Sequence, residues 1–207
     1  MVTRILILFF SVFSVIILAY SLFLPVDSQI YRLLWYFDFV LCLFFLYDFF
    51  KQLYEAKHKF KYLYTIGWLD FISSIPVISE MRLFRFLRII RIFRIIKNIG
   101  SFKSIVLFVK QELRRSIFGL IIFIQVTTLF LSMLMVLYIE EEVGNINTAE
   151  DTIWWAFITI TTVGYGDLYP VTDVGRFLAV ILIFTGVFSF SAVISYLSNL
   201  FKSLNTN

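Results

Sequence analysis

The chain has 207 residues, of which 60% are apolar, 20% aromatic and only 15% charged, with a mean hydropathy of +0.90; a soluble globule of this size cannot hide that much apolar surface, so the expected solvent is lipid. The same figures exclude intrinsic disorder, a fibrous repeat and an ordinary cytosolic enzyme, and one cysteine (Cys42) with one histidine (His58) leaves no intrachain disulfide, cysteine-based zinc cluster or His-rich metal site. The net charge of +4 is not a nucleic-acid signal, because five arginines lie in one periodic segment and the remainder is slightly acidic.

Crossing ~30 Å of hydrocarbon takes about 20 helical residues. Six apolar runs meet or approach that length: residues 5–24, 33–50, 62–78, 81–96, 117–139 and 177–201, the fourth short and heavily charged. Pro25, Pro76 and Pro170 all fall between runs, where a missing backbone donor costs least. The first run follows Arg4 and could be read as a signal peptide, but it is about twice the usual apolar length and ends at Leu24-Pro25 with no small-residue cleavage site. It is read as a retained span.

The second run carries Asp38 and Asp48, ten residues apart and therefore close in azimuth and ~15 Å apart along a helix. Lys51, Lys57, Lys59 and Lys61 follow it, and Lys97, Lys103, Lys110, Arg114 and Arg115 follow the fourth run. Basic loops lie on the cytoplasmic side. The loop after the fifth run is acidic, with Glu140, Glu141, Glu142, Glu150 and Asp151, and falls outside by alternation. Six spans then put both termini in the cytoplasm of a multi-pass cell-membrane protein.

The third run contains Asp70. In the fourth, Arg82, Arg85, Arg88, Arg91, Arg94 and Lys97 recur with period three between apolar pairs such as Leu83-Phe84 and Ile89-Ile90. On an α-helix the charges trace a slow spiral, and on a 3₁₀-helix they form one row. Cations at mid-membrane need partners, and three acids in neighbouring spans could supply them. A basic surface helix or a headgroup patch would instead gather its charges on one broad polar arc, with no acids waiting in adjacent spans. Residues 101–115 read as an amphipathic connector along the inner membrane face, with Phe102, Ile105, Val106, Phe108 and Val109 directed inward. It either couples the fourth run to the last two or simply binds headgroups.

Residues 148–161, containing Trp154 and Trp155, look helical but reach only about half the length of a span. A helix that enters and turns back must be followed by backbone satisfied by protein, water or an ion. That backbone reads Thr161, Thr162, Val163, Gly164, Tyr165, Gly166, Asp167. Glycines at alternate positions accept φ values that L-residues resist, so successive carbonyls can point the same way. Uncharged oxygens, with the Thr162 hydroxyl below them, suit a large monovalent cation better than a divalent one. One chain supplies one ladder of carbonyls, whereas a dehydrated cation needs about eight oxygens, so several copies must surround an axis.

These residues, from Trp154-Trp155-Ala156 through 161–167 to Pro170 and the last run, resemble the potassium-channel selectivity filter. The resemblance implies potassium binding at Thr162, Val163, Gly164, Tyr165 and Gly166, a hydrogen bond from Trp154 to Asp167, aromatic bracing of Tyr165 by Trp154 and Trp155, and a homotetramer. Ile158 stands where some simple potassium pores have a glutamate. The arginine ladder with its acids is similar to the voltage-sensor domain, which implies that Asp48 and Asp70, with Phe45 as the aromatic plug and Asp38 as a further counter-charge, form the site through which the arginines pass. In the last run Gly186 matches the family's hinge glycine, or serves as a close-packing site. Phe190 and Ile194 match cavity-lining positions, Ser189, Ala192 and Ser195 are small candidates for helix contacts, and Val193, Ile194 and Ser195 stand where many animal members have a Pro-Val-Pro bend.

The expectation is an all-α membrane protein with six transmembrane helices per subunit: a four-helix voltage sensor (residues 1–100), a linker (101–115), and a two-helix pore (116–207) with pore helix 148–161 and filter 162–166. By this resemblance it is a voltage-gated potassium channel of the compact prokaryotic type, with lipid and potassium ions as partners, no nucleic acid and no cofactor. It is no enzyme, since no nucleophile, base and metal-ligand group stand together outside the sensor and filter. A secondary transporter would show paired repeats with broken helices in both halves. A ligand-gated channel would append a nucleotide-binding domain, for which a chain ending at Asn207 is expected to have no room. The sign of gating, opening on depolarisation or on hyperpolarisation, is open.

Overall fold

The structure, a computed structural model, describes residues 2–56 and 117–205, with scattered positions between 58 and 74. Among the described residues every element is helical: α1 Val2–Ser21, α2 Gln29–Glu55, α3 Ile117–Glu140, α4 Ala149–Ile160 and α5 Asp173–Asn205. They fall into two units, Met1–Lys110 and Gln111–Asn207. The expected spans at 62–78 and 81–96 and the connector at 101–115 lie outside the described residues, apart from the scattered positions. The six-helix count and the arrangement of Asp70 and of Arg82, Arg85, Arg88, Arg91, Arg94 and Lys97 therefore stay expectations from sequence.

In the first unit α1 and α2 form an antiparallel pair. Ser11, Ser14, Leu18 and Ser21 recur at three- and four-residue spacing on the buried face of α1, and small side chains there let the partner helix come close. Phe10 meets Phe44 edge-on, with ring centroids 4.9 Å apart. The chain leaves α1 three residues earlier than the end of the apolar run, at Ser21, whose hydroxyl donates back to the Leu18 carbonyl (2.8 Å). Pro25 then blocks further helix. Ser28 starts α2: its hydroxyl accepts from the Tyr31 N–H (3.2 Å) and donates to the Pro25 carbonyl (3.0 Å). That cap is worth about 1 kcal/mol, and it begins the helix four residues before the apolar run does. Leu34, Asp38, Leu41, Phe45, Asp48 and Phe49 form one buried stripe at helical spacing.

In the second unit α3 and α5 run antiparallel with α4 wedged between them. Trp155, Ala156 and Ile158 of α4, Val136 and Leu137 of α3 and Leu182 of α5 are all nearly or fully buried there. Three helical stretches among the described residues are long and apolar enough to cross a membrane, Gln29–Glu55, Ile121–Glu140 and Asp173–Ser198, and Phe10–Ser21 adds a shorter apolar one. Only 11% of the most apolar window of α5 is buried within the subunit. So much uncovered apolar surface is stable only against lipid or further copies of the chain.

Candidate functional site

The short helix α4 is bounded sharply at both ends. Thr148 and Asp151 form a reciprocal capping box, with the Asp151 N–H donating to Thr148 Oγ1 (3.1 Å) and the Thr148 N–H donating to Asp151 Oδ2 (3.2 Å). Glu150 and Asp151 also place negative charge in the first turn, where the helix dipole favours it. At the far end Thr161 donates its hydroxyl to the Phe157 carbonyl (2.7 Å). The next turn tightens: Thr162 N–H bonds Thr159 O at 3.0 Å, and Val163 and Gly164 both donate to Ile158 O, at 3.0 and 3.1 Å. The Ile158 side chain is 3% exposed and serves as core, while its carbonyl anchors the start of the extended backbone beyond.

From that anchor the backbone alternates. Thr162 has φ 59°, Gly164 φ 56° and Gly166 φ 79°, whereas Val163 and Tyr165 between them keep ordinary negative values. Alternating hands turn successive carbonyls to one side, in keeping with the two alternate glycines. Thr162 goes beyond that expectation: an L-residue in the left-handed region costs roughly 1–2 kcal/mol, and it is the one non-glycine with positive φ among the described residues. Strain of this kind is retained where the surrounding structure over-determines the backbone. Among the described residues no donor reaches the carbonyls of Thr162, Val163, Gly164, Tyr165 or Gly166, and the side chains of Val163 and Tyr165 are exposed in the isolated subunit. A row of unpaired, uncharged oxygens is thus held open on one side of the chain.

This backbone is braced from behind. Trp154 Nε1 donates to Asp167 Oδ2 at 2.7 Å, and the Trp154 ring stacks on Tyr165 with centroids 5.9 Å apart and planes 6° from parallel. The Trp154 bond, against a smaller desolvation effect and with help from the backbone N–H groups of Leu168 and Asp167, holds the Asp167 carboxyl below its ordinary value. Trp155 is 2% exposed, part of the α3–α4–α5 core, and within the subunit it is Trp154 rather than Trp155 whose ring meets Tyr165.

Two further residues act on this region, and sequence reasoning misses both roles. By sequence Glu140 is one more charge in an acidic outer loop; instead it ends α3 with no exposed surface. Its carboxylate accepts from Val171 N–H (2.9 Å), Thr172 N–H (3.0 Å) and the Thr172 hydroxyl. The correction has a physical reason: the amides of Val171 and Thr172, in the turn that leads into α5, need an acceptor, and a carboxylate is the strongest one; the Thr172 hydroxyl it holds in turn caps the Gly175 N–H (3.0 Å). Gly144 and Gly175 make the room, since a Cβ on either would press on the Glu140 oxygens. Asn145 is the second, its amide bonding the backbone of Asp167 and Tyr169. Their partners lie 22 to 32 residues away in sequence; for Glu140 the only sequence signal is the pair of glycines, Gly144 and Gly175, that leave it room.

Gly186 lies against the end of α4: a Cβ there would sit 2.9 Å from the Ile160 carbonyl oxygen, the close-packing alternative. Phe190 and Ile194 follow one and two turns later on the same side of α5 and are exposed in the subunit. Ser189 Oγ bonds Gln125 Oε1 of α3 at 2.8 Å. In the first unit Asp38, Phe45 and Asp48 do share one buried stripe of α2, with Phe45 wholly enclosed. The Ser14 hydroxyl donates to Asp38 Oδ1 (3.4 Å) and Gln52 Nε2 donates to Asp48 Oδ2 (2.6 Å).

Residues 117–203 match the family model described as Ion channel. A voltage-gated potassium channel of Aeropyrum pernix is 36% identical over 61 residues, 30% of this chain and 21% of that protein. A protein of Rhodopseudomonas palustris, named provisionally as a potassium channel, is 28% identical over 102 residues, 48% of this chain and 24% of its own. A voltage-gated potassium channel regulatory subunit of Rattus norvegicus is 46% identical over 50 residues, 24% of this chain and 10% of that subunit. The chain therefore spans less than a quarter of the length of each of these relatives.

Proposed function

We propose, on the premise that residues 117–203 are an ion-channel pore domain related to those of potassium channels, that the chain is a voltage-gated, potassium-selective channel working as a homotetramer in the cell membrane. The observation that carries the reading is the alternating φ at Thr162, Gly164 and Gly166, which leaves a row of carbonyls without donors. Four such rows around an axis would replace the hydration shell of a potassium ion at successive levels, and ions at adjacent levels repel one another enough to keep moving. Thr162, Val163, Gly164, Tyr165 and Gly166 bind the ion in transit; Trp154, Trp155 and Asp167 hold their geometry. Both termini face the cytoplasm and lipid covers the outer helices.

Gating by voltage rests on the first half. Arg82, Arg85, Arg88, Arg91, Arg94 and Lys97 are the charges that move, with Asp38, Asp48 and Asp70 as exchange partners and Phe45 separating them. What supports this is the enclosure of Asp38, Phe45 and Asp48 along one stripe of α2. Each elementary charge carried through the field is worth ~2.3 kcal/mol per 100 mV, so about three per subunit in a tetramer supply tens of kcal/mol. Residues 101–115 pass that work to α5, where Gly186, Phe190 and Ile194 are the candidate moving parts. Planar-bilayer recording with asymmetric potassium and sodium is the test: the current should reverse near the potassium equilibrium potential, and a voltage ramp reads the sign of gating. A reversal potential indifferent to the potassium gradient would end the reading. Neutralising Arg88 and Arg91 should flatten the conductance-voltage curve, and an unchanged slope would remove the sensor.

A further inference from the structure

Gly166 closes the row of carbonyls, and Asp167 is the first residue beyond it. Its side chain is held by Trp154, which fixes the carboxylate but not the next peptide group. The backbone is held separately: Asn145 Nδ2 donates to the Asp167 carbonyl at 3.0 Å, and Asn145 Oδ1 accepts from the Tyr169 N–H at 3.3 Å. One side-chain amide thus pairs with an acceptor and a donor two residues apart, as a neighbouring strand would. Its orientation is set by the network, because exchanging the amide oxygen and nitrogen would put oxygen against oxygen and N–H against N–H.

Asn145 is itself held firmly. On one side the Gly144 N–H bonds the Glu140 carbonyl at 2.9 Å, and on the other Ile146 is fully buried. The amide therefore reaches the post-filter loop from a connector fixed at both flanks, and it spends little entropy in doing so. We propose that Asn145 is a positioning residue for conduction, clasping the peptide groups of Asp167 and Tyr169 so that the outer end of the ion pathway keeps its carbonyls aligned. The inference rests on the pore reading above. Bound potassium favours the same alignment, because a ligand that binds one geometry stabilises it by mass action. Loss of the clasp should therefore matter most when few ions occupy the pathway.

The test uses the full chain in planar bilayers, held open at low and at high external potassium. Each hydrogen bond lost is worth a factor of roughly 2 to 10 in the balance between aligned and misaligned geometries. Asn145→Ala should shorten the conducting period by roughly three- to tenfold at low potassium, with high potassium restoring it and the voltage for half-opening unmoved. Asn145→Asp, nearly isosteric, keeps an acceptor for Tyr169 but sets an oxygen against the Asp167 carbonyl, and should match the alanine variant or exceed it. Hydrogen exchange at the Tyr169 amide, which needs no current, should speed up in Asn145→Ala. Conducting periods equal to wild type, a shortening that potassium does not reverse, or unchanged Tyr169 exchange would each overturn the proposal. A wild-type chain without potassium current removes the pore reading itself, whereas a conducting wild type with an indistinguishable Asn145→Ala removes only the clasp.

Discussion

Replacing Glu140 by glutamine tests the tie between α3 and α5 with almost no change of shape. The carboxylate accepts three hydrogen bonds, one at Oε2 from Val171 N–H and two at Oε1 from Thr172. An amide has one oxygen, so even its better orientation turns an N–H toward the Val171 N–H. A buried donor left unmade costs about 1–3 kcal/mol, and the surviving bonds lose their charge assistance, so about 2–4 kcal/mol per subunit is expected. For domains of comparable size each kcal/mol moves the melting temperature by roughly 2–4 °C. The melting temperature in detergent should therefore fall by roughly 4–16 °C. The reasoning can be cornered with a second substitution. A Cβ at Gly144 would come within 2.5 Å of Glu140 Oε2, its closest contact, with Val171 Cγ2 next at 3.3 Å. Gly144→Ala should destabilise the wild type yet cost little after Glu140→Ala, which removes the crowding atom. Additive effects in that double-mutant cycle, or a Glu140→Gln protein as stable as its parent, would refute the account.

Alanine at Gly164 meets nothing within 4 Å in the subunit, so its cost is backbone alone, about 1–2 kcal/mol at φ +56°; semisynthetic D-alanine there should bind potassium like glycine, and equal behaviour of the two enantiomers would count against the alternating backbone. Trp154→Phe keeps an aromatic ring beside Tyr165 but deletes the donor to Asp167, so the carboxyl should titrate at higher pH. Because the native value is lowered, the stabilisation from Asp167 is present above its ordinary pKa of 3.8 and is lost as pH falls through the native value. In the phenylalanine variant that loss should begin at the same pH, set by the unfolded chain, but be smaller and complete at higher pH, with carboxyl chemical shifts reporting the raised native value. Gly186→Ala should lower stability by about 1–3 kcal/mol through overpacking against Ile160; a melting temperature unchanged while gating shifts would favour the hinge alternative.

The elements of the second unit are legible in the sequence because lipid leaves few options: a 12-residue helix between two long apolar ones must turn back, and Gly164 and Gly166 announce an unusual backbone beyond it. Asp38 and Asp48 are legible from their spacing. The ends of α1 and α2 are not, because Ser21 and Ser28 act through local hydrogen bonds that apolar run lengths do not register. Glu140 is misread for a different cause. Its charge resembles that of Glu141 and Glu142 in the sequence, and only the distant amides of Val171 and Thr172 separate a buried acceptor from a solvated one. Asn145 carries no pattern at all, since an asparagine in a turn has many uses and its value here depends on where the loop after Asp167 passes.

The bond between Glu140 and the start of α5 acts as a rivet at one extremity of two long rods. With that extremity pinned, a swing of the other must grow with distance: Ile194 lies roughly 33 Å along the axis from Thr172 at 1.5 Å per residue, so a rocking of about 10° displaces it by about 6 Å. The backbone of residues 162–167, beside the pivot, would hardly stir. On the proposed pore reading, a lever pinned in this way would open a wide inner mouth while leaving the ångström-scale spacing of the carbonyl row undisturbed.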